Sequence, residues 1–494
     1  MLAFASTIFA AVAIVQAYTW PSPQLDALEA ARFDPHTGPL LAGVQPCDTF
    51  AAVENTGRAN AADWVRTAYH DMATYNIADG TGGLDGSIRF TEEINRPENS
   101  GDGFDRTMAF VAAQSGRYIS ELSFGILVLL VADSIALATI VAIETCGGPE
   151  IPFRGNRTDA TSPNAPGVPE PQEDLDSHIT SFKRQGFNKE EMIGLVACGH
   201  TFGGVQHETF PEIVPEMNDP ENTQFNAFNP LIQSATEYMS GTTENPLVVG
   251  MNDTTNSDKR IFESDGNVTM KSFADSPSLF ASTCSTLIAR MIDTVPKQTQ
   301  LTDVLTPLPI KPADIRLDLR GSTIEFSGKV RLWNTPKDDS RSYSSSWYSF
   351  SDSAEPLSID AAAGLKSLSF VVDGKLENQG GLGFAVEDRV MHSTSSCRLP
   401  GDTTSRIDVA VRNADSPIRV YLEEFQFNFP DVSRVVEHDI PQPLKPVTIG
   451  VYSIWSLNLT TDGMVYNIGA EFAGGVKYST LSTYFAGRGT APCG

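Results

Sequence analysis

The sequence predicts two domains of different class, a mainly α-helical domain followed by an antiparallel β-sandwich or barrel. Apolar residues recur with helical periodicity in several stretches between residues 49 and 293. Beyond residue 295 the period becomes two, in short runs separated by turns rich in Gly, Asp and Asn. A chain of 494 residues is long enough for both domains. We therefore predict a helical domain at 18–295, a linker at 296–312 and a β-rich domain of unknown function at 313–494.

The first 17 residues, MLAFASTIFAAVAIVQA, are almost wholly apolar and end on a small residue before Tyr18. This pattern predicts a secretory signal peptide. The alternative is a membrane anchor, for which the stretch is short. The net charge of −26 suits a soluble extracellular protein and excludes nucleic acid as a partner. We therefore expect a secreted protein with no membrane span after signal removal.

Six cysteines in a secreted chain permit three disulfides in 15 possible pairings. The location of Cys397 and Cys493 suggests a bond within the C-terminal part, whereas Cys198 could instead be a buried thiol. Glycosylation is predicted because the chain carries sequons at Asn156, Asn252, Asn267 and Asn458. Those at Asn252 and Asn458 lie in polar, loop-like contexts.

The helical domain begins with an irregular lead-in at 18–46, rich in Pro and Gly. Helical patterns then cover four stretches, about 49–70, 106–146, 177–206 and 276–293. The apolar run at 124–133 predicts a buried core helix rather than a membrane span, because Asp133 and Ser134 interrupt it.

The β-rich domain contains six predicted strands, near 315–319, 324–332, 367–372, 406–411, 418–422 and 448–452. Six aromatic residues could form a polysaccharide-binding platform or could belong to the core and rim of a sandwich. They are Trp333, Trp347, Tyr348, Tyr452, Trp455 and Tyr466.

Two histidine-bearing segments carry the chemistry. One is an apolar run that begins at Gly194, contains His200 and ends at two glycines. The other is an upstream helical segment that contains Arg66 and His70. Residues four apart lie on one helical face. A single histidine on an apolar segment is more often a packed core residue. An axial imidazole together with a separate Arg–His pair is what a buried iron cofactor with a peroxide pocket requires.

The motifs Arg66-x-x-Tyr69-His70-Asp71 and Leu195-x-Ala197-x-Gly199-His200-Thr201 resemble the heme peroxidases of the plant–fungal–bacterial superfamily. The resemblance covers about residues 45–295. It implies heme b, reduction of hydrogen peroxide, and one-electron oxidation of small phenol-like donors at the heme edge. An intracellular-type segment ending at Asn99, combined with a secretion signal, is similar to the secreted hybrid-type peroxidases of fungi.

The resemblance assigns roles residue by residue. His200 would be the axial iron ligand, and Asp265, in the pair Ser264-Asp265, would accept its Nδ1–H, although that aspartate could instead cap a helix. His70 would be the general base, Arg66 would stabilise the developing charge, and Asn99 would hold His70.

Two further cofactor-lining positions follow from the resemblance. Tyr69 stands where the family usually has Phe or Trp, and its phenol could make a hydrogen bond in the pocket. Pro169 begins a Pro-x-Pro segment at the open heme edge. Asp133 and Arg157 resemble a buried structural ion pair of the family.

Calcium is also implied. Asp71, Gly83, Asp85 and Ser87 resemble the distal calcium loop and supply hard oxygen ligands. The same residues could form an ordinary Gly-Asp turn. Thr201 would begin a weaker proximal site, whose other ligands would lie in 218–229.

Several specialised electron donors are not supported by the sequence. The three carboxylates of manganese peroxidases and the two characteristic Trp residues of other branches are replaced here by Ala62, Arg58, Gln206, Leu195 and Glu216. Small phenols remain the expected donors. The alternative function is a non-catalytic cell-wall or carbohydrate-binding protein that keeps the fold as a scaffold.

Overall fold

A computed structural model describes most of the chain and confirms the predicted fold class, with helices up to residue 292 and strands from residue 310. The described residues are 20, 28–30, 32–33, 39–45, 47, 59–114, 131–202, 205, 207, 209–213, 231–333, 345–351, 356–400, 404–426, 434–460, 466–480 and 492–493. The predicted signal peptide lies outside them.

The first domain has these helices in its described part: α1 Pro39–Val44, α2 Asn60–Met72, α3 Thr91–Ile94, α4 Gly103–Gln114, α5 Val131–Thr145, α6 Leu175–Arg184, α7 Lys189–His200, α8 Leu231–Ser240, α9 Pro246–Val249, α10 Ser257–Glu263, α11 Val268–Asp275 and α12 Pro277–Ile292. Short 3₁₀ turns lie at Ser87–Arg89 and Pro97–Asn99.

Helix α5 forms the centre of the helical core. Its residues from Val131 to Ile143 are all buried, because it is apolar on every side. The Asp133 carboxylate lies 2.9 Å from the Arg157 guanidinium, which also donates to the carbonyl of Ile292 at the end of α12. The predicted buried ion pair is therefore confirmed. Within the described residues, no helix is both long and apolar enough to cross a membrane.

The second domain contains the following strands: β1 Ile310–Arg320, β2 Thr323–Trp333, β3 Ser345–Ser351, β4 Leu357–Asp360, β5 Ser367–Leu368, β6 Phe370–Val372, β7 Lys375–Glu377, β8 Phe384–Ala385, β9 Val390–Ser393, β10 Cys397–Arg398, β11 Thr404–Arg412, β12 Arg419–Gln426, β13 Arg434–Asp439, β14 Val447–Ile449, β15 Tyr452–Thr460, β16 Tyr466–Phe472 and β17 Gly475–Thr480.

Two sheets pack face to face in this domain. One has the order β14-β15-β11-β9-β1-β2-β3, and the other has the order β13-β12-β16-β17. Among the described strands, pairing is antiparallel except between β1 and β9. Val409 of the larger sheet and Leu422 and Ile468 of the smaller sheet share one apolar cluster. Alternate residues such as Ala410 face the opposite side of the larger sheet. The domain is therefore a β-sandwich.

The described residues of the predicted lead-in at 18–46 include contacts to both domains. Glu29 is fully buried, and its carboxylate pairs with Lys311 at 2.8 Å and with Arg331. Burial raises the pKa of Glu29, but Lys311 and Arg331 outweigh this effect, so the pKa is lowered. Three residues on, Arg32 pairs with Glu144 of α5 at 2.9 Å.

The predicted linker is also more ordered and shorter than expected. Strand β1 begins at Ile310, within the predicted span. Before it, the N–H of Lys297 donates to Gly80, and the N–H of Leu305 donates to Phe153. Backbone hydrogen bonds therefore hold this segment against the helical domain.

Three disulfides are present. The predicted Cys397–Cys493 bond is confirmed. Cys198 is bonded to Cys284, so the alternative of a buried thiol is wrong, and the bond ties α7 to α12. The third bond joins Cys47 to Cys146.

The predicted aromatic platform does not form as one surface. Tyr452 and Trp455 are buried in the sandwich, and Trp333 packs edge-on against Phe33 with ring centroids 4.9 Å apart. Tyr348 is 57% exposed. The side chains of Trp347 and Tyr466 lie outside the described part of the structure.

Candidate active site

Helix α2 places Arg66 and His70 on one wall of a deep cavity. The two residues are one helical turn apart and therefore point the same way. Phe104 of α4 packs against both, with the Arg66 guanidinium 4.3 Å and the His70 ring 4.7 Å from its ring centroid. Arg66 also donates to the carbonyl of Ser100 at 3.1 Å. These contacts hold both polar groups towards the cavity.

Asn99 fixes the tautomer of His70. The Asn99 amide nitrogen donates to the carbonyl of Glu93 at 2.8 Å, so its oxygen faces His70 and accepts the Nδ1–H at 2.7 Å. The other ring nitrogen, Nε2, is then free of a proton. Burial and the Arg66 charge lower the pKa of His70 well below its usual value, and this outweighs the opposite effect of Asn99. His70 is therefore neutral, as a general base must be.

Helix α7 presents His200 from the other side. A capping box of Asn188 and Glu191 starts the helix, and the Cys198 disulfide secures its last turn. The His200 side chain is 43% exposed to the cavity. Its Nδ1–H donates to Oδ2 of Asp258 at 2.5 Å. Burial disfavours the imidazolium, but the Asp258 carboxylate overcomes this effect and raises the pKa of His200.

The partner of His200 is thus Asp258, and the prediction of Asp265 is wrong. The Asp265 carboxylate accepts the N–H groups of Val268 and Thr269 at the start of α11, which is the capping alternative. Asp258 lies in the first turn of α10, is 1% exposed, and also accepts from the Asn245 amide at 2.8 Å. The sequence signal was a second Ser-Asp pair, Ser257-Asp258, seven residues before the one chosen.

The cavity between the two histidines has a volume of about 460 Å³, within the range of cofactor pockets. Leu195, Val196 and Ile261 give it apolar walls beside His200. A Cβ added at Gly199 would meet open space. An apolar slot with one imidazole facing into it and a second histidine opposite fits a heme, with His200 as the iron ligand.

Other predicted residues lie at the same cavity. Tyr69 and Pro169 both line it. The Tyr69 ring stacks on Phe182 with centroids 5.9 Å apart, and burial raises the pKa of its phenol. Sequence reasoning missed His178 of α6, a buried cavity-lining residue whose ring nitrogens have no hydrogen-bond partner among the described residues. No motif singles it out.

The predicted distal calcium ligands lie together, but most of their hydrogen-bonding capacity is already used. The Asp71 carboxylate accepts the N–H groups of Asp85, Gly86 and Ile88. Burial and the neighbouring Asp85 raise the pKa of Asp71 well above its usual value.

Gly83, the fourth predicted ligand, has a φ of +109°, and its N–H donates to the Thr74 hydroxyl at 3.1 Å. The amide nitrogen of Asn164 lies between the Asp85 carboxylate and the Ser87 hydroxyl. The arrangement therefore does not fit a bound calcium ion. Within the described residues, no group of three or more His, Cys, Asp or Glu side chains is arranged to hold a metal.

The weaker proximal calcium site has little support. The Thr201 hydroxyl donates to the carbonyl of Ala197 at 2.7 Å and lies 3.0 Å from the Ser234 hydroxyl. The segment 218–229, where further ligands were sought, lies outside the described residues.

Comparison with known proteins agrees with this site. A family model described as Peroxidase matches residues 48–287. These residues contain both histidines and nearly all of the helical domain. Residues 48–287 therefore form a peroxidase domain of the plant–fungal–bacterial type.

Three relatives illustrate the range. A WSC domain-containing protein of Arthroderma benhamiae is 36% identical over 351 residues, which cover 68% of this chain and 46% of the relative. The peroxisomal L-ascorbate peroxidase 5 of Arabidopsis thaliana is 35% identical over 172 residues, which cover 35% of this chain and 58% of the relative. A putative heme-binding peroxidase of Aspergillus fumigatus is 30% identical over 162 residues, which cover 32% of this chain and 47% of the relative. The chain spans about half the length of these curated relatives. Because 68% exceeds the share of the chain before Ile310, the first match includes part of the β-sandwich.

Proposed function

We propose that the protein is a heme peroxidase that reduces hydrogen peroxide and oxidises small phenol-like donors by one-electron steps. The observation that carries the proposal is the pairing of two sites across one cavity. His70, held by Asn99, lies with Arg66 on one wall, and His200, held by Asp258, lies on the other. Heme bound there would supply an iron that cycles between oxidation states and so accepts the electrons of each donor.

His70 handles the proton of the peroxide. Its Nε2 is unprotonated, so it takes a proton from the oxygen that approaches the cofactor and returns it to the oxygen that leaves as water. The low pKa of His70 makes this return favourable because the imidazolium is disfavoured in the buried site. Arg66, fixed over Phe104, stabilises the negative charge that develops while the proton moves.

Asp258 acts through His200. Accepting the Nδ1–H at 2.5 Å gives the imidazole partial imidazolate character, which makes it a stronger ligand for oxidised iron. Asn245 donates to the same carboxylate oxygen and keeps it in place.

The lining of the cavity supports a neutral or cationic donor. Pro169 and Pro171 line it together with three glutamates, Glu98, Glu170 and Glu212. Carboxylates in the lining repel anionic donors and attract cations. The manganese ligands of the family are missing, and no Trp lies between Trp64 and Trp333.

We also propose secretion. The apolar leader at residues 1–17, the three disulfides and the net charge of −26 support it. Polysaccharide binding by the β-sandwich has little support from its aromatic residues, since Tyr452 and Trp455 are buried.

Hemin titration of the full-length protein tests the proposal. The wild type should show one equivalent of bound heme with a Soret band and should oxidise 2-methoxyphenol only when peroxide is present. His200→Ala should bind heme more weakly and lose activity, whereas His438→Ala, a change in the sandwich, should behave like the wild type. Equal heme spectra and activity in wild type and His200→Ala would refute the assignment.

A further inference from the structure

We propose that the side-chain amide of Asn164 takes the place of a metal ion in the peroxidase domain, so that the domain is stable without calcium. The amide nitrogen lies in an oxygen cage, which we define as the Asp85 carboxylate and the hydroxyls of Ser87 and Thr74. This cage contains two of the residues that resemble calcium ligands. Asn164 itself lies in a Pro-Asn-Ala-Pro segment far along the chain.

The distances place the amide nitrogen at the centre of the cage. Nδ2 of Asn164 lies 2.9 and 3.0 Å from the two Asp85 carboxylate oxygens, 3.0 Å from Ser87 Oγ and 3.3 Å from Thr74 Oγ1. Calcium binds oxygen ligands at about 2.3–2.6 Å. An ion bound to these four oxygens would overlap the amide nitrogen, so the cage holds one or the other.

The surrounding hydrogen bonds fix which way the amide points. The Thr74 hydroxyl donates to the carbonyl of Asp71 at 2.8 Å, and the Ser87 hydroxyl donates to Glu93 at 3.0 Å. Neither hydroxyl therefore has a proton left for Asn164, so both hydroxyls, like the Asp85 carboxylate, can only accept from its side chain. A reversed amide would put its oxygen against four acceptor atoms, which is unfavourable in a buried site.

The backbone of Asn164 is held as firmly as its side chain. Its N–H donates to Glu93 at 2.8 Å, and its carbonyl accepts from the Arg96 guanidinium. Glu93 is 1% exposed. A backbone segment held by hydrogen bonds thus positions the amide in the cage. Removing the Asn164 side chain would take away a hydrogen-bond donor to Asp85 and would leave the cage empty.

The first test uses the heme-loaded wild type and needs no variant. Purified from a calcium-containing buffer, it should carry no stoichiometric calcium by elemental analysis. Its Tm and Soret band should be the same in chelator and in calcium chloride, within about 1 °C, because an ion that does not bind the native state cannot stabilise it. One bound calcium per chain, or a lower Tm in chelator, would overturn the proposal.

The second test opens the cage. Asn164→Ala should lower the Tm in chelator, and saturating calcium should raise it again by about 5–10 °C, since the cage now accepts the ion. Asn95→Ala, which removes an exposed amide nearby, should show neither effect. If the Tm of Asn164→Ala did not respond to calcium, the cage would not be a site that the amide replaces. Peroxidase activity is a separate readout, so failure here leaves the proposed function untouched.

Discussion

Replacing Asp258 by Asn should raise the reduction potential of the heme iron, because this carboxylate makes His200 an electron-rich ligand. Its Oδ2 accepts the His200 Nδ1–H at 2.5 Å, and the side chain is 1% exposed. Asn at this position keeps nearly the same shape and presents a neutral acceptor. The imidazole then loses its partial negative charge, and the ferric state loses more stabilisation than the ferrous state.

The size of the effect follows from the hydrogen bond. A hydrogen bond to a charged group contributes about 1.5–3 kcal/mol in a protein. If this stabilisation acts on the ferric state alone, its loss corresponds to roughly 60–130 mV for a one-electron couple, at about 59 mV for each factor of ten. The change is large enough to resolve in a spectroelectrochemical titration.

Asp265→Asn is the matched control. Asp265 caps α11 by accepting two backbone N–H groups, and Asn is an equally good capping residue. The heme-loaded control should therefore keep the wild-type potential. A shift in Asp265→Asn without a shift in Asp258→Asn would refute the assignment of the proximal carboxylate.

Four further changes, one of pH and three of sequence, have defined outcomes. Burial and Arg66 lower the pKa of His70 well below 6.5. The rate of reaction with peroxide, measured by stopped-flow, should therefore stay level as the pH falls through 6.5 and drop only under more acid conditions. A drop in rate centred near pH 6.5 would contradict this. Asn99→Leu should slow that reaction by roughly 10–100-fold, since Nδ1–H loses its acceptor, and an unchanged rate would count against the role of the amide. Arg157→Ala should lower the free energy of unfolding by about 3–5 kcal/mol, because it removes the cation that pairs with the buried Asp133 carboxylate. Denaturant titration measures this loss, and a loss below about 1 kcal/mol would contradict the account. Glu29→Ala should separate the unfolding of the two domains into two calorimetric transitions, because it removes the buried carboxylate that Lys311 and Arg331 share. A single unshifted transition would show that the junction depends on other contacts.

Site residues could be placed together from the sequence only where they lie on the same helix. Arg66 and His70 lie on one face of α2, so their spacing alone places them together. The proximal carboxylate comes from another helix. Ser257-Asp258 and Ser264-Asp265 are the same dipeptide, and only the packing of α10 against α7 decides which one reaches His200.

Contacts between segments that are far apart in the chain could not be predicted from the sequence for the same reason. Glu29 stands in a stretch rich in Pro and Gly, and nothing local shows that Lys311 and Arg331 will enclose it. Asn164 likewise follows a proline in an irregular segment, and its position in the oxygen cage depends on the path of the whole loop. The sandwich could be predicted as a class because alternation is local, whereas the strand order β11-β9-β1 depends on long-range pairing.

The most direct measurement of the central claim compares wild type and His70→Leu by stopped-flow, each loaded with heme and mixed with hydrogen peroxide. Because His200 is intact in both, both should show the same Soret band before mixing. The spectral change on mixing should be slower in His70→Leu by about 10²–10⁴-fold, the usual contribution of a positioned general base. Equal rates in two proteins with equal heme content would contradict the account.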